Sequence, residues 1–198
     1  MQVCLFGASS PRVAPMYVEA TEQLGALLAE AGHTLVYGAG GAGLMGAAAR
    51  GVKSRGGRVI GVVPSFLKVD GILYDACDEM IFTETMGERK AIMEDRADGF
   101  VVVPGGIGTY EELFEVYTLK QLGRHQKPIV VYNIGGYYDE MLAMLHKTVA
   151  QAYMPPASLE LIAIETTAPG VLQRLTELPG DTADIHRTKY VQTDISRK

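Results

Sequence analysis

Short, continuously apolar runs alternate along this chain with longer segments of helical period, and that alternation restricts it to a parallel sheet crossed over by helices. Runs such as Val59-Ile60-Gly61-Val62-Val63 and Phe100-Val101-Val102-Val103 show no apolar-polar alternation, so both faces of these strands must lie under helices rather than one face in water. Seven strands are predicted, at residues 2–6, 34–37, 58–63, 79–83, 99–103, 128–132 and 162–165. The intervening segments predict helices over residues 15–31, 43–55, 87–96, 110–122, 138–150 and 168–178, with Pro155-Pro156 breaking the chain before the last strand. The expected fold is α/β: a doubly wound parallel sheet of about seven strands with helices on both faces. No abrupt shift toward Pro, Ser or charge divides the chain, so residues 1–178 are expected to form one domain, followed by a polar tail over 179–198.

Composition narrows the function classes. With 18 basic and 23 acidic side chains the net charge is -5, which gives no broad positive field for nucleic acid or an anionic membrane surface and favours a small-molecule ligand. Cys4 and Cys77 form no CxxC pair, and the opening Met1-Gln2-Val3-Cys4-Leu5-Phe6 has neither a basic start nor an apolar stretch of signal length. A cytoplasmic setting is therefore expected. His33, His125, His146 and His186 are scattered singly, without the spacing of metal ligands.

In a sheet of this kind ligands bind outside the carboxyl ends of the strands. Three glycine-rich loops are predicted there: Gly7-Ala8-Ser9-Ser10, Gly38-Ala39-Gly40-Gly41-Ala42-Gly43 and Gly105-Gly106-Ile107-Gly108-Thr109. Free amides in such loops, with the positive end of the following helix, favour a phosphate; ordinary strand-to-helix turns are the alternative. Ser9 is then a hydroxyl contact, and Gly41, Gly43 and Gly105 are backbone contacts. The second loop spells GxGxxG, but no acidic residue ends the next strand, which argues against a dinucleotide; a GxxxxGK[ST] cradle is also missing.

The densest local signal is Pro104-Gly105-Gly106-Ile107-Gly108-Thr109-Tyr110-Glu111-Glu112. Thr109 and Glu112 stand three apart, as in a capping box. Alternatively, a glutamate beside an anion loop acts on the ligand, orienting water or stabilising positive charge. A second polar run, Thr83-Glu84-Thr85-Met86-Gly87-Glu88-Arg89-Lys90, follows the fourth strand and opens on the same edge. Lys90 is spaced to pair with Glu94 along a solvated helix face, while Arg89 is a partner for the ligand or for Glu112.

The run Gly87-Glu88-Arg89-Lys90 with PGGIGTYEE at 104–112, preceded by Gly40-Gly41-Ala42-Gly43-Leu44-Met45-Gly46, resembles the LOG proteins. These are cytokinin riboside 5'-monophosphate phosphoribohydrolases, a Rossmann-like group often mislabelled lysine decarboxylases. The resemblance extends from Cys4 to about Pro155. It implies hydrolysis of the N-glycosidic bond of an N6-modified AMP to the free base and ribose 5-phosphate, with Arg89 and Glu112 at the catalytic positions. It further implies substrate contacts at Lys90, Gly106, Ile107, Gly108, Thr109, Tyr110, Glu111 and Thr118, no metal, no cofactor, and a homodimer with the site near the subunit interface. A decarboxylase is disfavoured, because Lys53, Lys68, Lys90, Lys120 and Lys127 have no Schiff-base setting. The competing reading is a non-catalytic carrier of a nucleotide or of the molybdenum cofactor on the same fold.

Overall fold

The computed structural model describes residues 1–69 and 71–177. Seven strands form one sheet, β1 (Gln2–Phe6), β2 (Thr34–Tyr37), β3 (Val59–Pro64), β4 (Glu79–Thr83), β5 (Gly99–Val102), β6 (Ile129–Tyr132) and β7 (Ala163–Glu165). Six α-helices alternate with them: α1 (Pro15–Glu30), α2 (Gly43–Ser54), α3 (Met86–Arg96), α4 (Ile107–Gln121), α5 (Asp139–Ala150) and α6 (Ala168–Thr176). Every strand pairing is parallel, and the spatial order is β4-β3-β2-β1-β5-β6-β7.

Successive side chains on a strand point to opposite faces, and here both faces are dry. Cys4, Phe6, Phe100 and Val102 pack under Met93 of α3, Val116 of α4 and Leu145 of α5. Their neighbours Val3, Leu5, Val101 and Val103 pack under Leu28 of α1, Val52 of α2 and Val171 of α6. Three helices thus cover each face, which is why the central strands read as unbroken apolar runs. Both cysteines are free thiols; Cys4 lies in the core and the Cys77 sulfur is 3.7 Å from the Tyr37 hydroxyl.

The order also places the ligand edge. The chain winds outward from β1 through β4, then returns to the other side of β1 to lay down β5. The crevice opens where two neighbouring strands send their crossovers in opposite directions, and here those strands are β1 and β5. Register keeps their ends level, with Phe6 opposite Val102.

Several local expectations shift. α4 starts at Ile107, with Gly106 as its N-cap, so Gly108 and Thr109 belong to the first helical turn rather than to a loop. The capping box expected of Thr109 and Glu112 does not form, because Thr109 already sits inside the helix. The box occurs instead at the head of α3, where Thr85 Oγ1 accepts from the Glu88 N–H at 3.1 Å and Glu88 accepts from the Thr85 N–H at 3.3 Å. Lys90 does not pair with Glu94 but reaches across to Glu111 and Glu115 of α4. Short 3-10 helices occupy Ser65–Leu67, Ile134–Gly136 and Pro156–Leu161, where sequence alone gives loops. The expected tail, 179–198, and Leu178 at the end of the last expected helix lie outside the described residues. No described helix is long and apolar enough to cross a membrane.

Candidate active site

Ala8 ties the three glycine-rich loops together. Its N–H donates to the Pro104 carbonyl at 3.0 Å, and its own carbonyl accepts from the N–H groups of Leu44 at 2.8 Å and Met45 at 3.2 Å. Gly43 permits this junction: its φ is +59°, and a Cβ there would stand 2.5 Å from the Ala8 oxygen. The joined loops wall a cavity of about 620 Å3 over the carboxyl ends of β1 and β5, within the range of small-ligand sites.

The floor of this cavity is an anion trap by the arithmetic of its peptide groups. The carbonyls at the start of α4 are all taken: Pro104 by the Ala8 N–H, Gly105 by the Tyr137 hydroxyl and Gly106 by the Tyr110 N–H of the first helical turn. The first-turn amides of Ile107, Gly108 and Thr109 have no acceptor within the helix, and no side chain caps it. Donors therefore remain at the positive end of the helix dipole while acceptors have been turned away, which suits a phosphate. Ser9, Gly106, Gly108 and Thr109 line the cavity at this end.

One turn further along α4 stands Glu112, beside Arg89 of α3; they are 9% and 7% exposed. Nη1 of Arg89 donates to Oε1 of Glu112 at 2.7 Å, and its Nε donates to the Val62 carbonyl of β3 at 3.3 Å. The guanidinium is thus fixed between a strand and α4, with Glu112 held at its end. The second carboxylate oxygen of Glu112 accepts no hydrogen bond among the described residues, and the side chain lines the cavity. Burial pushes the Glu112 carboxyl above its ordinary value, an effect that Arg89 partly offsets. A partly desolvated carboxylate facing an anion trap is suited to developing positive charge on the part of the ligand between them.

Gly38 makes room for the arginine. A Cβ at this position would lie 2.2 Å from Nη2 of Arg89. Gly38→Ala is therefore expected to displace the guanidinium and cut turnover about 10-fold or more, on the scale of one misaligned charge-assisted bond; steady-state kinetics beside a melting curve checks it.

The structure brings together Ser9, Arg89, Gly106, Gly108, Thr109 and Glu112 around one cavity and puts the other expected contacts elsewhere. Lys90 bridges α3 to α4 through Glu111 and Glu115, outside the cavity lining. Gly105 faces a smaller space behind the loop. Ile107 is 85% exposed, and Tyr110 packs edge-on against the Tyr138 ring. Thr118 is exposed on α4, about 14 Å along the axis from Thr109 at 1.5 Å per residue. Gly41 donates its N–H to the Ile72 carbonyl at 2.8 Å, Gly43 admits the close approach of Ala8, and neither lines the cavity.

Sequence reasoning missed the apolar wall. Leu67, Ile72 and Leu73 of the β3–β4 connection and Met86 of α3 also line the cavity. The connection is held over the second glycine loop by a Gly40–Leu73 bridge and the Tyr74 N–H to Ala39 carbonyl bond. Only the exposed apolar residues in that stretch signal it.

No lysine among the described residues lines the cavity. Lys53 pairs with Asp78, Lys68 lies over the Phe82 ring, and the Lys127 amine donates to the Glu94 carbonyl. Lys120 is buried near the far end of α4, where desolvation lowers its amine to about 8. Among the described residues no group of three or more His, Cys, Asp or Glu side chains could hold a metal ion; His186 lies outside them.

Comparison with known proteins adds four findings. A family described as "Possible lysine decarboxylase" matches residues 45–175. The chain is 41% identical over 176 residues to the probable cytokinin riboside 5'-monophosphate phosphoribohydrolase LOGL5 of Oryza sativa subsp. japonica, covering 89% of this chain and 72% of the relative. It is 40% identical over 162 residues to the cytokinin riboside 5'-monophosphate phosphoribohydrolase of Mycobacterium tuberculosis, covering 82% and 86%. Among solved structures, the molybdenum cofactor binding protein from the phototrophic bacterium Rippkaea orientalis superposes with a TM-score of 0.65 at 25% identity, covering 87% of this chain and 91% of that one.

Proposed function

Because the chain belongs to this family, whose curated relatives are LOG phosphoribohydrolases, we propose that it hydrolyses the N-glycosidic bond of N6-modified AMP, releasing the base and ribose 5-phosphate. The observation that carries the assignment of roles is the pairing of Arg89 with Glu112 at 2.7 Å in the wall of a cavity that the first turn of α4 also lines with unclaimed amides.

In this reading the 5'-phosphate sits on the amides of Gly106 to Thr109, with the hydroxyls of Ser9 and Thr109 beside it. The ribose spans the cavity and brings its anomeric carbon over the free oxygen of Glu112. As the C1'–N9 bond breaks, its electron pair leaves with the base and the sugar acquires oxocarbenium character, which the Glu112 carboxylate stabilises. Water adds to C1' on the face the carboxylate commands. Glu112 accepts the proton that water loses and gives it up to solvent, while the departing base takes up one proton from solvent, so that nucleotide and water become base and ribose 5-phosphate and the carboxylate is restored. Arg89 orients Glu112 and favours its ionised form. The base with its N6 substituent lies toward Leu67, Ile72 and Met86.

We place the protein in the cytoplasm, a reading its two free thiols support. We further take the working unit to be a homodimer with the cavity mouth near the interface. Ile107 on the helix that bears Glu112, together with Phe66, Ile72 and Met86, leaves apolar surface exposed around the mouth, and a second copy would cover it. The carrier reading rests on the shared fold; a carrier has no need of a positioned carboxylate.

Incubation with N6-isopentenyl-AMP, AMP and N6-isopentenyl-adenosine, followed by chromatography of the free base, tests the assignment. Two charge-assisted bonds to phosphate at about 1.5 kcal/mol each make the riboside about 100-fold poorer in kcat/KM than its monophosphate, and light scattering is expected to give about twice the 21.3 kDa of one chain. Nucleotide that raises the melting temperature without releasing base would replace hydrolysis by carriage.

A further inference from the structure

The Gly105–Gly106 peptide is flanked by cavities on both sides. The substrate cavity touches Gly106, while a space of about 240 Å3 on the other side is lined by Gly105, Gly106, Tyr17 and Tyr137. In a trans peptide the carbonyl of one residue and the N–H of the next point in opposite directions, and no peptide among the described residues is cis. Which face receives the donor is thus decided by where the Gly105 carbonyl is held. Two adjacent glycines impose little steric preference on that choice.

The Tyr137 hydroxyl makes the choice by donating to the Gly105 carbonyl at 2.6 Å from the α5 side. We infer that Tyr137 is a positioning residue for phosphate binding, which holds the Gly105–Gly106 peptide with its carbonyl turned away from the substrate cavity and the Gly106 N–H turned into it. Without that bond the peptide is free to rotate, and the rotated form presents an oxygen to the phosphate. The fraction of protein with the donor inward falls, and apparent phosphate affinity falls by the same factor.

The surroundings fix the phenol for this task. Tyr137 packs edge-on against Tyr17 and Tyr138, with ring centroids 6.0 and 5.0 Å away. It follows the turn Gly135-Gly136, where φ is +60° and +76°, and Asn133 braces the turn by accepting from the Tyr138 N–H and donating to Asp139, each at 2.7 Å. Tyr138 provides a built-in control: its hydroxyl donates to the Val103 carbonyl at 2.8 Å, further back on the strand side, and the Pro104 peptide that follows has no N–H to orient.

This inference rests on the phosphate end of the proposed site and not on the bond that is cleaved, so its test is binding. Ribose 5-phosphate is titrated calorimetrically into wild type, Tyr137→Phe and Tyr138→Phe, and turnover of N6-isopentenyl-adenosine is measured alongside. Loss of one hydroxyl bond predicts ribose 5-phosphate binding about 5-fold weaker in Tyr137→Phe, unchanged binding in Tyr138→Phe, and riboside turnover unchanged in both. In the wild-type protein, the Gly106 amide proton resonance should move downfield on addition of ribose 5-phosphate. Equal weakening in the two variants, or none in Tyr137→Phe, or a still Gly106 resonance, would overturn the inference. Wild type that binds ribose 5-phosphate but cleaves no nucleotide sinks the hydrolase assignment and leaves this one standing.

Discussion

Glu112→Gln is expected to lower turnover of N6-isopentenyl-AMP about 10^3-fold, the scale seen when one preorganised transition-state contact is removed. Gln has the same shape and keeps an oxygen for Arg89, so what is lost is the negative charge facing the sugar. Ground-state binding should survive, because the proposed phosphate contacts are main-chain donors of the first turn of α4 and not the Glu112 side chain; KM is expected to change little while kcat collapses. Stability falls modestly. Arg89 keeps a hydrogen-bond acceptor but loses its counter-charge, a change of about 1–2 kcal/mol that lowers Tm by about 2–8 °C in a chain of this size. Circular dichroism melting beside the kinetics separates the two effects. Turnover close to wild type would reduce Glu112 to a structural partner of Arg89.

Arg89→Met should act on the same carboxylate from the other side. Burial raises the Glu112 pKa and Arg89 holds it down, so removing the guanidinium lets it rise further. Catalysis needs the ionised form; the acidic limb of kcat/KM, which reports the free enzyme, therefore moves to higher pH in the variant. At neutral pH kcat is expected to fall about 10^2-fold, since the carboxylate loses both its orientation and part of its charge. The sign for stability follows from the same shift. The native state holds the Glu112 proton more tightly than the unfolded chain, so this group favours the fold at low pH and disfavours it once pH rises past its native pKa. The variant, with a still higher pKa, should lose more stability between acid and neutral pH than wild type. Arg89→Lys, which keeps the charge but not the planar fork, should restore the pH limb more fully than the turnover.

The sheet was legible because its strands are buried on both faces: an unbroken apolar run such as Phe100-Val101-Val102-Val103 is sheltered from water only when helices cover both sides of the strand. The ligand edge followed from the glycine loops. What could not be read locally was set by contacts between elements distant in sequence. Lys90 has Glu94 four residues away, yet it pairs with Glu111 and Glu115 because α3 and α4 flank the same crevice. The Thr109–Glu112 spacing matched a capping box, but α4 gains its first turn before Thr109, and the loss of helix propensity at Gly108 is only about 1 kcal/mol. The same early start turns Gly108 and Thr109 into the amides that line the cavity. Arg89 and Glu112 could be proposed as partners from their places after β4 and β5, whereas the role of Gly38 in admitting the guanidinium required the packed structure. The wall formed by Leu67, Ile72 and Met86 had no local motif, since it depends on the β3–β4 connection folding back over the second glycine loop.

A crystal structure of Glu112→Gln with intact N6-isopentenyl-AMP would decide whether the substrate lies as proposed. The phosphate oxygens should lie within hydrogen-bond distance of the Gly106, Gly108 and Thr109 amides, with the anomeric carbon about 3–3.5 Å from the residue 112 carboxamide. A nucleotide bound with its base on those amides, or with its ribose turned away from residue 112, would contradict it.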